Sequence, residues 1–232
     1  MRLRSKDLTR AIAPGPVGVA PPRYAKEEVE WEPDSNLLRI LFREINGAAK
    51  GPAIFIDRDG VINYRRPGDY VLDWSQFVFM PGIREALKRL SSLGLPMIII
   101  SNQAAVGKGL LDPADLEEIT ARMNEELLAN GTSLAAAYYC THKIEDHCPC
   151  RKPKPALLFS AAADFDIDLS RSIFVGDSDT DAQAARAAGC ASVLFGSATA
   201  PQPTSPADLL TARRVRDLYA LVAKYLQATQ HA

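Results

Sequence analysis

The sequence has no long apolar run of the kind that a membrane-spanning helix requires, since none approaches eighteen residues. Its first stretch, MRLRSKDLTRAIAPGPVGVAPP, carries basic residues but no continuous apolar segment ahead of a cleavage signal. We therefore expect a cytoplasmic protein that has no membrane partner.

The chain also lacks an excess of charge of either sign. Its 27 lysines and arginines balance 28 aspartates and glutamates, giving a net charge of -1, and only 7% of its 232 residues are aromatic. A nucleic-acid-binding module is expected to cluster basic residues among aromatic ones. The composition therefore favours a small-molecule partner over nucleic acid, and a zinc-stabilised nucleic-acid-binding module is a weaker alternative.

Cysteine is scarce, but three of the four cysteines lie within the loop 140–150, in the sequence CTHKIEDHCPC. In a reducing compartment such a cluster indicates a metal site or a reactive thiol before it indicates a disulfide. The pairs Cys140 with His142 and Cys148 with Cys150 offer four ligands, enough for one closed, structural zinc site. His147 is an alternative to His142, which we favour.

Residues 1–50 differ in composition from the rest of the chain. The segments APGPVGVAPPR and KEEVEWEPD favour an extended N-terminal arm. Residues 36–45, NLLRILFREI, have apolar residues at helical spacing, which predicts one short helix within the arm. We expect residues 51–232 to form a single globular domain. We expect a monomer, and the arm leaves a dimer open.

From residue 52 onward, short β-rich apolar runs alternate with amphipathic stretches, which predicts an α/β fold with a mostly parallel sheet. The predicted strands are PAIFID, LPMIIIS, SLAAAYYC, RSIFVGD and ASVLF. The helix that begins after Asp112, with Pro113 in its first turn and Gly131 as terminator, is the clearest of those predicted. Residues 201–206 are predicted to form a loop, followed by a C-terminal helix.

Polar side chains follow three of the predicted strands, in IFIDRDG, IIISNQ and IFVGDSDTD. The carboxyl ends of parallel strands share one edge of a sheet, where ligands bind. The residues gathered at that edge would be Asp57, Asp59, Ser101, Asn102, Asp177 and Asp181, with Lys152 arriving from the cysteine-rich loop. Any one acidic residue there is more often a turn former, but together they indicate a Mg²⁺ site beside a phosphate.

The segments DRDGVI, SNQ, the lysine of RKPKP and GDSDTD resemble the four motifs of the haloacid dehalogenase superfamily of phosphatases, over residues 52–200. Within it, DRDGVIN, YV at 70–71, SNQ, YYCTH and CPCRKP are most similar to the zinc-containing D-glycero-D-manno-heptose-1,7-bisphosphate 7-phosphatases and the related histidinol-phosphatase-like subgroup. The resemblance implies a three-layer, Rossmann-like fold with a zinc-binding loop. The short connections between the motifs leave no room for a large cap domain.

The resemblance also implies roles for individual residues. Asp57 becomes the nucleophile that forms an aspartyl-phosphate, and Asp59 the general acid and base, which has to be protonated when substrate arrives. Mg²⁺ would be bound by the Asp57 carboxylate, the Asp59 backbone carbonyl and Asp177. The residues assigned to the phosphoryl group are Ser101, Asn102 and Lys152, and the residue assigned to orienting Lys152 is Asp181.

The function implied is a Mg²⁺-dependent phosphatase acting on a small phosphorylated sugar, with heptose 1,7-bisphosphate at its 7-phosphate as the leading substrate. Histidinol phosphate or another phosphomonoester is the alternative, and a catalytically silent scaffold is a third. Four cations are candidates for contact with a second phosphate, and these are Arg65, Arg66, Lys108 and Arg151, the last being the strongest. The chain departs from the family at Ala104, Ala105 and Lys108, where serine, glycine and arginine are common, and these positions bear on which substrate it takes.

Overall fold

The computed structural model describes residues 28–32, 37–42, 51–65, 70–195, 210–212 and 215–229. Within these residues, eight strands form one sheet. The strands are β1 Glu28–Glu32, β2 Leu37–Leu41, β3 Ile54–Ile56, β4 Met97–Asn102, β5 Ala136–Cys140, β6 Ile173–Gly176, β7 Ala191–Phe195 and β8 Leu210–Ala212. Their order across the sheet is β1-β2-β5-β4-β3-β6-β7-β8. The six strands from β5 to β8 in this order pair in parallel, whereas β1 and β2 pair antiparallel.

Helices cover both faces of the sheet. They are α1 Ile83–Ser91, α2 Ala104–Gly107, α3 Pro113–Ala129, α4 Ala156–Asp164, α5 Asp179–Ala187 and α6 Val215–Thr229. One apolar cluster packs α1, α3 and α6 against one face, and a second packs α4 and α5 against the other. The predicted three-layer, mostly parallel α/β fold is therefore confirmed.

The central strand β3 shows why these residues form strands. All three of its residues are fully buried, and Ile54 and Ile56 face one helical layer while Phe55 faces the other. A strand buried on both faces has to be apolar throughout, and β-branched and aromatic side chains suit it best. Ile54 pairs with Met97 of β4 and with Ile173 of β6, so the three strands end together at one edge.

Most of the predicted helices are present. Helix α3 begins at Pro113 after Asp112 and buries Leu116, Ile119, Met123 and Leu127 on the face that the sequence spacing indicates. Helix α6 includes the predicted C-terminal segment and buries Leu218 and Val222. The loop predicted at 201–206 lies outside the described residues. Among the described residues, no helix combines the length and apolar character that crossing a membrane demands.

The helix predicted within residues 36–45 is wrong, because residues 37–41 form strand β2, which pairs antiparallel with β5. The physical reason is a two-sided apolar environment. Leu38 and Ile40 pack into one helical layer, while Leu37 and Leu41 pack against the other. Alternation with period two satisfies both faces, which helical spacing cannot do. That residues 1–50 form an arm separate from the domain stays a prediction.

No large cap domain interrupts the described part of the connection between β3 and α1. That connection contains only a short 3-10 helix, Trp74–Gln76, whose neighbourhood is packed by the stacked rings of Trp74 and Phe77. The carboxyl edge of the sheet is consequently open on this side. This agrees with the connection lengths in the sequence.

Candidate active site

The carboxyl ends of four neighbouring strands, β5, β4, β3 and β6, enclose an open cavity of about 760 Å³. Asp57 follows β3, Ser101 and Asn102 end β4, and the segment after β6 contributes Asp181. Lys152 reaches the same cavity from the loop that follows β5. A cavity of this volume is large enough for a phosphorylated sugar. The structure thus brings together the residues that the strand-end motifs predicted.

Lys152 lies between two carboxylates at the floor of the cavity. Its Nζ is 2.9 Å from Asp57 Oδ1 and 2.6 Å from Asp181 Oδ1, and it also donates to the Ile100 carbonyl at 2.9 Å. All three charged side chains are nearly inaccessible to solvent. A buried cation in this position balances carboxylates that would otherwise repel one another.

The two carboxylates that share Lys152 differ in their protonation. Burial raises the pKa of Asp57 to about 7, and the positive charge of Lys152 only partly offsets this effect. Burial also acts on Asp181, but Lys152 and hydrogen bonds from Ser178 outweigh it and hold the pKa of Asp181 below its ordinary value. In the metal-free protein, Asp181 is therefore the ionised partner of Lys152. Asp57 is the carboxylate whose ionised form a further positive charge would stabilise.

Asp177 completes an acidic group with Asp57 and Asp181, in which one carboxylate oxygen of each lies within 4.8 Å of the others. Burial and the nearby charge of Asp181 raise the pKa of Asp177. Its Oδ1 is buried without a hydrogen-bond partner among the described residues. Carboxylate oxygens that crowd together, one of them without a donor, fit a hard divalent cation such as Mg²⁺. The fit supports the predicted Asp57 and Asp177 as ligands. Asp181 has partners at both oxygens, since Oδ1 lies 2.6 Å from Lys152 Nζ and Oδ2 accepts from Ser178 Oγ at 2.6 Å.

Gly60 makes room for this group. Its φ of +95° is one that L-residues avoid, and a Cβ there would lie 2.0 Å from Asp177 Oδ2. The turn after β3 and the segment after β6 can approach this closely only because residue 60 has no side chain. The glycine of DRDG therefore serves the acidic group as well as the turn.

We expect Gly60→Ala to raise the Mg²⁺ concentration needed for half-maximal activity by about 10-fold or more, because the added methyl group displaces Asp177. Gly94→Ala is the matched control, since Gly94 has φ +72° but an added Cβ there would meet no atom within 4 Å among the described residues. Both variants should lose roughly 1–2 kcal/mol of stability from backbone strain. Titration of activity with MgCl₂ and urea unfolding measure the two effects. An unchanged Mg²⁺ requirement in Gly60→Ala would contradict this assignment.

Asp59 is held by a polar network rather than by the acidic group. Its Oδ1 accepts from Asn63 Nδ2 at 2.8 Å, and its Oδ2 accepts from Gln103 Nε2 at 2.7 Å and from Arg58 Nη2 at 3.0 Å. Burial would raise the pKa of Asp59, but the Arg58 guanidinium and these hydrogen bonds outweigh it and lower that pKa. The expectation that Asp59 is protonated before substrate arrives is therefore not met in this structure, because a buried guanidinium stabilises the carboxylate.

Asn102 has a role that the sequence did not indicate. Its Oδ1 accepts from the backbone N–H of Lys152 at 3.1 Å, and its Nδ2 donates to the Lys152 carbonyl at 3.2 Å. Both polar atoms of the amide thereby fix the backbone that bears the buried lysine. Asn102 positions Lys152 in this structure, and its predicted contact with the phosphoryl group stays a prediction.

The four predicted zinc ligands form one compact group. The Cys140, Cys148 and Cys150 thiols are free, with Sγ–Sγ separations of 3.6 Å from Cys148 to each of the other two. His142 Nδ1 lies 3.6 Å from Cys140 Sγ and 3.3 Å from Cys150 Sγ. Metal–ligand bonds of about 2.0–2.3 Å in a tetrahedron place ligand atoms at such separations, whereas a disulfide needs about 2.05 Å. The group therefore fits zinc, and it includes His142 and not His147.

The loop that carries these ligands is tied to the cavity. Lys154 Nζ donates to the carbonyls of His147 and Cys148, at 2.7 and 2.6 Å, and Arg151 Nη1 donates to the His142 carbonyl at 3.4 Å. Lys152 follows Cys150 by two residues. Metal binding at the thiolates would therefore fix the backbone from which Arg151 and Lys152 enter the site.

Three of the four cations considered for a second phosphate lie in the described residues. Lys108 and Arg151 line the cavity, and Lys108 Nζ stands 5.4 Å from the centre of the Tyr70 ring. Arg65 also lines the cavity, with Nη1 3.5 Å from Asp177 Oδ2. Arg66 lies outside the described residues.

Residues 16–189 match the model of the family described as haloacid dehalogenase-like hydrolases. The chain belongs to this family. The match spans the strand-end motifs and the cysteine-rich loop, so it includes every predicted site residue. The family match confirms the predicted resemblance to this superfamily.

Among the relatives of this haloacid dehalogenase-like hydrolase is a D-glycero-beta-D-manno-heptose-1,7-bisphosphate 7-phosphatase of Helicobacter pylori. The two are 41% identical over 130 residues, which cover 56% of this chain and 74% of the relative. A D-glycero-alpha-D-manno-heptose-1,7-bisphosphate 7-phosphatase of Mycobacterium tuberculosis is 38% identical over 152 residues, covering 63% of this chain and 80% of the relative. The relatives thus include phosphatases for both anomers. Together with the family match, they indicate a phosphomonoester hydrolase, which confirms the predicted class of enzyme.

A solved structure with a similar fold is that of D,D-heptose 1,7-bisphosphate phosphatase from B. bronchiseptica, complexed with magnesium and phosphate. It is 31% identical in sequence, with a TM-score of 0.66, and the alignment covers 78% of this chain and 99% of that one. This likeness agrees with the Mg²⁺ predicted at the carboxylates. The compact Cys₃His group agrees with the predicted zinc.

Three residues of the site escaped the sequence analysis, and these are Arg58, Asn63 and Gln103. Arg58 and Gln103 lie inside the quoted motifs DRDG and SNQ, and Asn63 ends DRDGVIN. The sequence did contain a signal for them, because an arginine and two amide side chains occur in segments otherwise expected to be buried. Such residues need partners, and here the partner they share is Asp59.

Proposed function

We propose that this protein is a Mg²⁺-dependent phosphatase that removes the 7-phosphate of D-glycero-D-manno-heptose 1,7-bisphosphate through an aspartyl-phosphate. The observation that carries the proposal is the Asp57 carboxylate, buried beside Lys152 and Asp177 at the cavity floor. The heptose substrate is inferred from relatives that are 38–41% identical and bear that name.

Asp57 supplies the nucleophile. One of its carboxylate oxygens attacks phosphorus in line, the bond from phosphorus to the sugar oxygen breaks, and the sugar oxygen takes a proton. Lys152 and Ser101 stabilise the charge on the transferring group, because they lie at the cavity floor on the side of β4. Bound at Asp57, Asp177 and the Asp59 carbonyl, Mg²⁺ would supply charge neutralisation for the phosphoryl oxygens.

Asp59 acts as the general acid and then as the general base. In the substrate-free structure it is ionised, so it takes up a proton as the anionic phosphoryl group enters and raises its pKa. It gives that proton to the sugar oxygen. In the second step it removes a proton from water, the water oxygen attacks phosphorus, and the bond to Asp57 breaks, releasing inorganic phosphate.

The remaining phosphate of the substrate would contact cations at the mouth of the cavity. Arg151 and Lys108 are the two best placed, since both line the cavity. Within the described part of the chain, neither side chain forms an ion pair with a carboxylate. Charge-assisted hydrogen bonds of this kind contribute about 1.5–3 kcal/mol each. They give the bisphosphate an advantage over a monophosphate.

We expect kcat/KM for heptose 1,7-bisphosphate to exceed that for heptose 7-phosphate by about 10–100-fold, because only the bisphosphate uses these cations. Phosphate release with Mg²⁺ measures both, alongside histidinol phosphate and the alpha and beta anomers. In Arg151→Met the preference should shrink, while Lys143→Met, on the same loop but outside the cavity lining, should keep it. Equal efficiency on the two sugars, or faster turnover of histidinol phosphate, would contradict the proposed substrate.

We further propose that the enzyme acts in the cytoplasm as a monomer. The free cysteines of the Cys₃His group support a reducing compartment, where thiolates persist as metal ligands. Light scattering coupled to gel filtration tests the monomer, and a mass twice that of the 25.3 kDa chain would contradict it.

A further inference from the structure

Gln103 lines the cavity between Ser101 and Asp59, and no step of the proposed chemistry involves it. It lies between β4 and α2, its backbone N–H donates to the Cys140 carbonyl at 2.7 Å, and its side chain is only 3% exposed. Its amide contacts Arg58, Asp59 and Ser101. It therefore joins the residue assigned to acid and base chemistry to one assigned to the phosphoryl group.

The partners of Gln103 fix the orientation of its amide. Arg58 has donors only, so the atom of Gln103 that stands 2.9 Å from Arg58 Nη2 has to be the oxygen. The nitrogen then faces Asp59 Oδ2 at 2.7 Å and Ser101 Oγ at 3.2 Å. Each of its two hydrogens has an acceptor. Arg58 itself is 1% exposed, so this orientation is held from inside the protein.

Two consequences follow for the groups that face the cavity. The Asp59 carboxyl is fixed at both oxygens, by Gln103 on one and by Asn63 Nδ2 at 2.8 Å on the other. Ser101 Oγ accepts from Gln103, which leaves its own hydroxyl hydrogen free to be donated to a phosphoryl oxygen. A single amide thus sets the direction of a proton-transfer group and of a phosphate-binding group.

We infer that Gln103 is a positioning residue for proton transfer to the leaving group, acting through Asp59 and secondarily through Ser101. The inference rests on the proposed function. In the first step the electron pair of the bond between phosphorus and the leaving oxygen passes to that oxygen, which receives the proton of Asp59. A misdirected Asp59 would slow this step for an alkyl leaving group, which departs poorly without a proton. An aryl leaving group departs as a stable anion and needs no such help.

The experiment compares kcat/KM on an alkyl and an aryl phosphate for Gln103→Met and Gln103→Glu. The Met variant removes the amide, while the Glu variant keeps the shape and the Arg58 contact but cannot donate to Asp59. Heptose 1,7-bisphosphate is the alkyl substrate, or glycerol 3-phosphate if the wild type does not accept the heptose, and p-nitrophenyl phosphate is the aryl substrate. Because kcat/KM reports steps up to aspartyl-phosphate formation, the comparison isolates departure of the leaving group.

We expect both variants to lose about 100-fold on the alkyl substrate, within the range of general acid catalysis, and about 5-fold or less on the aryl substrate. Activity on the aryl substrate also shows that the variant is folded. Gln183→Met is the matched control, because Gln183 also donates to an aspartate, Asp179, but lies exposed on α5, and it should match the wild type on both substrates. Asp59→Asn should reproduce the pattern of the Gln103 variants.

Equal losses on the two substrates, or no loss on either, would overturn the inference, since a structural or phosphate-binding role does not depend on the leaving group. Failure of the wild type on the heptose would overturn the proposed substrate alone, because the ratio measured with glycerol 3-phosphate still tests Gln103.

Discussion

Asp57→Asn is expected to reduce phosphate release by about 10⁴-fold or more, the scale seen when an enzyme loses its nucleophile. An amide does not attack phosphorus. The substitution also leaves Asp177 as the only one of the two proposed carboxylate ligands for Mg²⁺. Release of phosphate from heptose 1,7-bisphosphate, with Mg²⁺ in excess, is the measurement. Trapping of a phosphorylated protein after acid quench should succeed with the wild type and fail with the variant.

The control for this variant is Asp179→Asn, which changes an exposed carboxylate at the start of α5 without touching the acidic group. It should keep full activity. If Asp57→Asn retained even a tenth of wild-type turnover, an attack by water without a covalent intermediate would replace the proposed chemistry.

The same substitution is expected to change how the stability of the folded protein depends on pH. The pKa of Asp57 is raised to about 7 in the folded, metal-free protein, above about 3.9 in an unfolded chain. The folded state therefore binds this proton more tightly, and wild-type stability falls as pH rises from about 4 to about 7. The Asn variant lacks this loss, so without Mg²⁺ its stability relative to the wild type should improve over that window. Urea unfolding at several pH values would show it.

The fold and most of the site could be predicted because their signals are local. Helix α3 carries its start, its buried face and its terminator within one segment, at Pro113, Leu116 and Gly131. The strand-end motifs were informative for a different reason. Strands β3, β4 and β6 are neighbours and are buried except at Asn102, the last residue of β4, so the polar residues at their ends had to meet at one edge.

What could not be predicted depends on partners distant in sequence. Strand β2 is set by pairing with β5, about a hundred residues away, and by Arg39, whose Nη1 lies 2.6 Å from Asp164 Oδ2 on α4. Its own residues fit a helix equally well. The hydrogen bond from Gln103 to Asp59 likewise joins residues that end different strands. Spacing in one segment carries no information about either contact.

Removal of zinc is expected to cause the second large loss of activity, although no zinc ligand contacts the reacting phosphorus. The purified protein should contain about one zinc per chain, bound by Cys140, His142, Cys148 and Cys150, while turnover separately requires Mg²⁺, because thiolates and carboxylates select different metals. Cys148→Ser should lose most of this zinc. We expect its kcat to fall by about 10–100-fold, through loosening of the loop that places Lys152.

Cys190→Ser distinguishes loss of zinc from loss of a buried thiol. Cys190 is buried but is not a member of the Cys₃His group, so this variant should keep one zinc per chain. In Cys148→Ser, the zinc content measured by elemental analysis and the rate of phosphate release should therefore both fall. In Cys190→Ser, both should stay near wild-type values. Full activity in zinc-free Cys148→Ser would show that Asn102 and Lys154, which already bond the loop backbone at Lys152 and Cys148, hold Lys152 in place without the metal. A protein prepared without chelator and found free of zinc would show that the close approach of the four ligands has another cause.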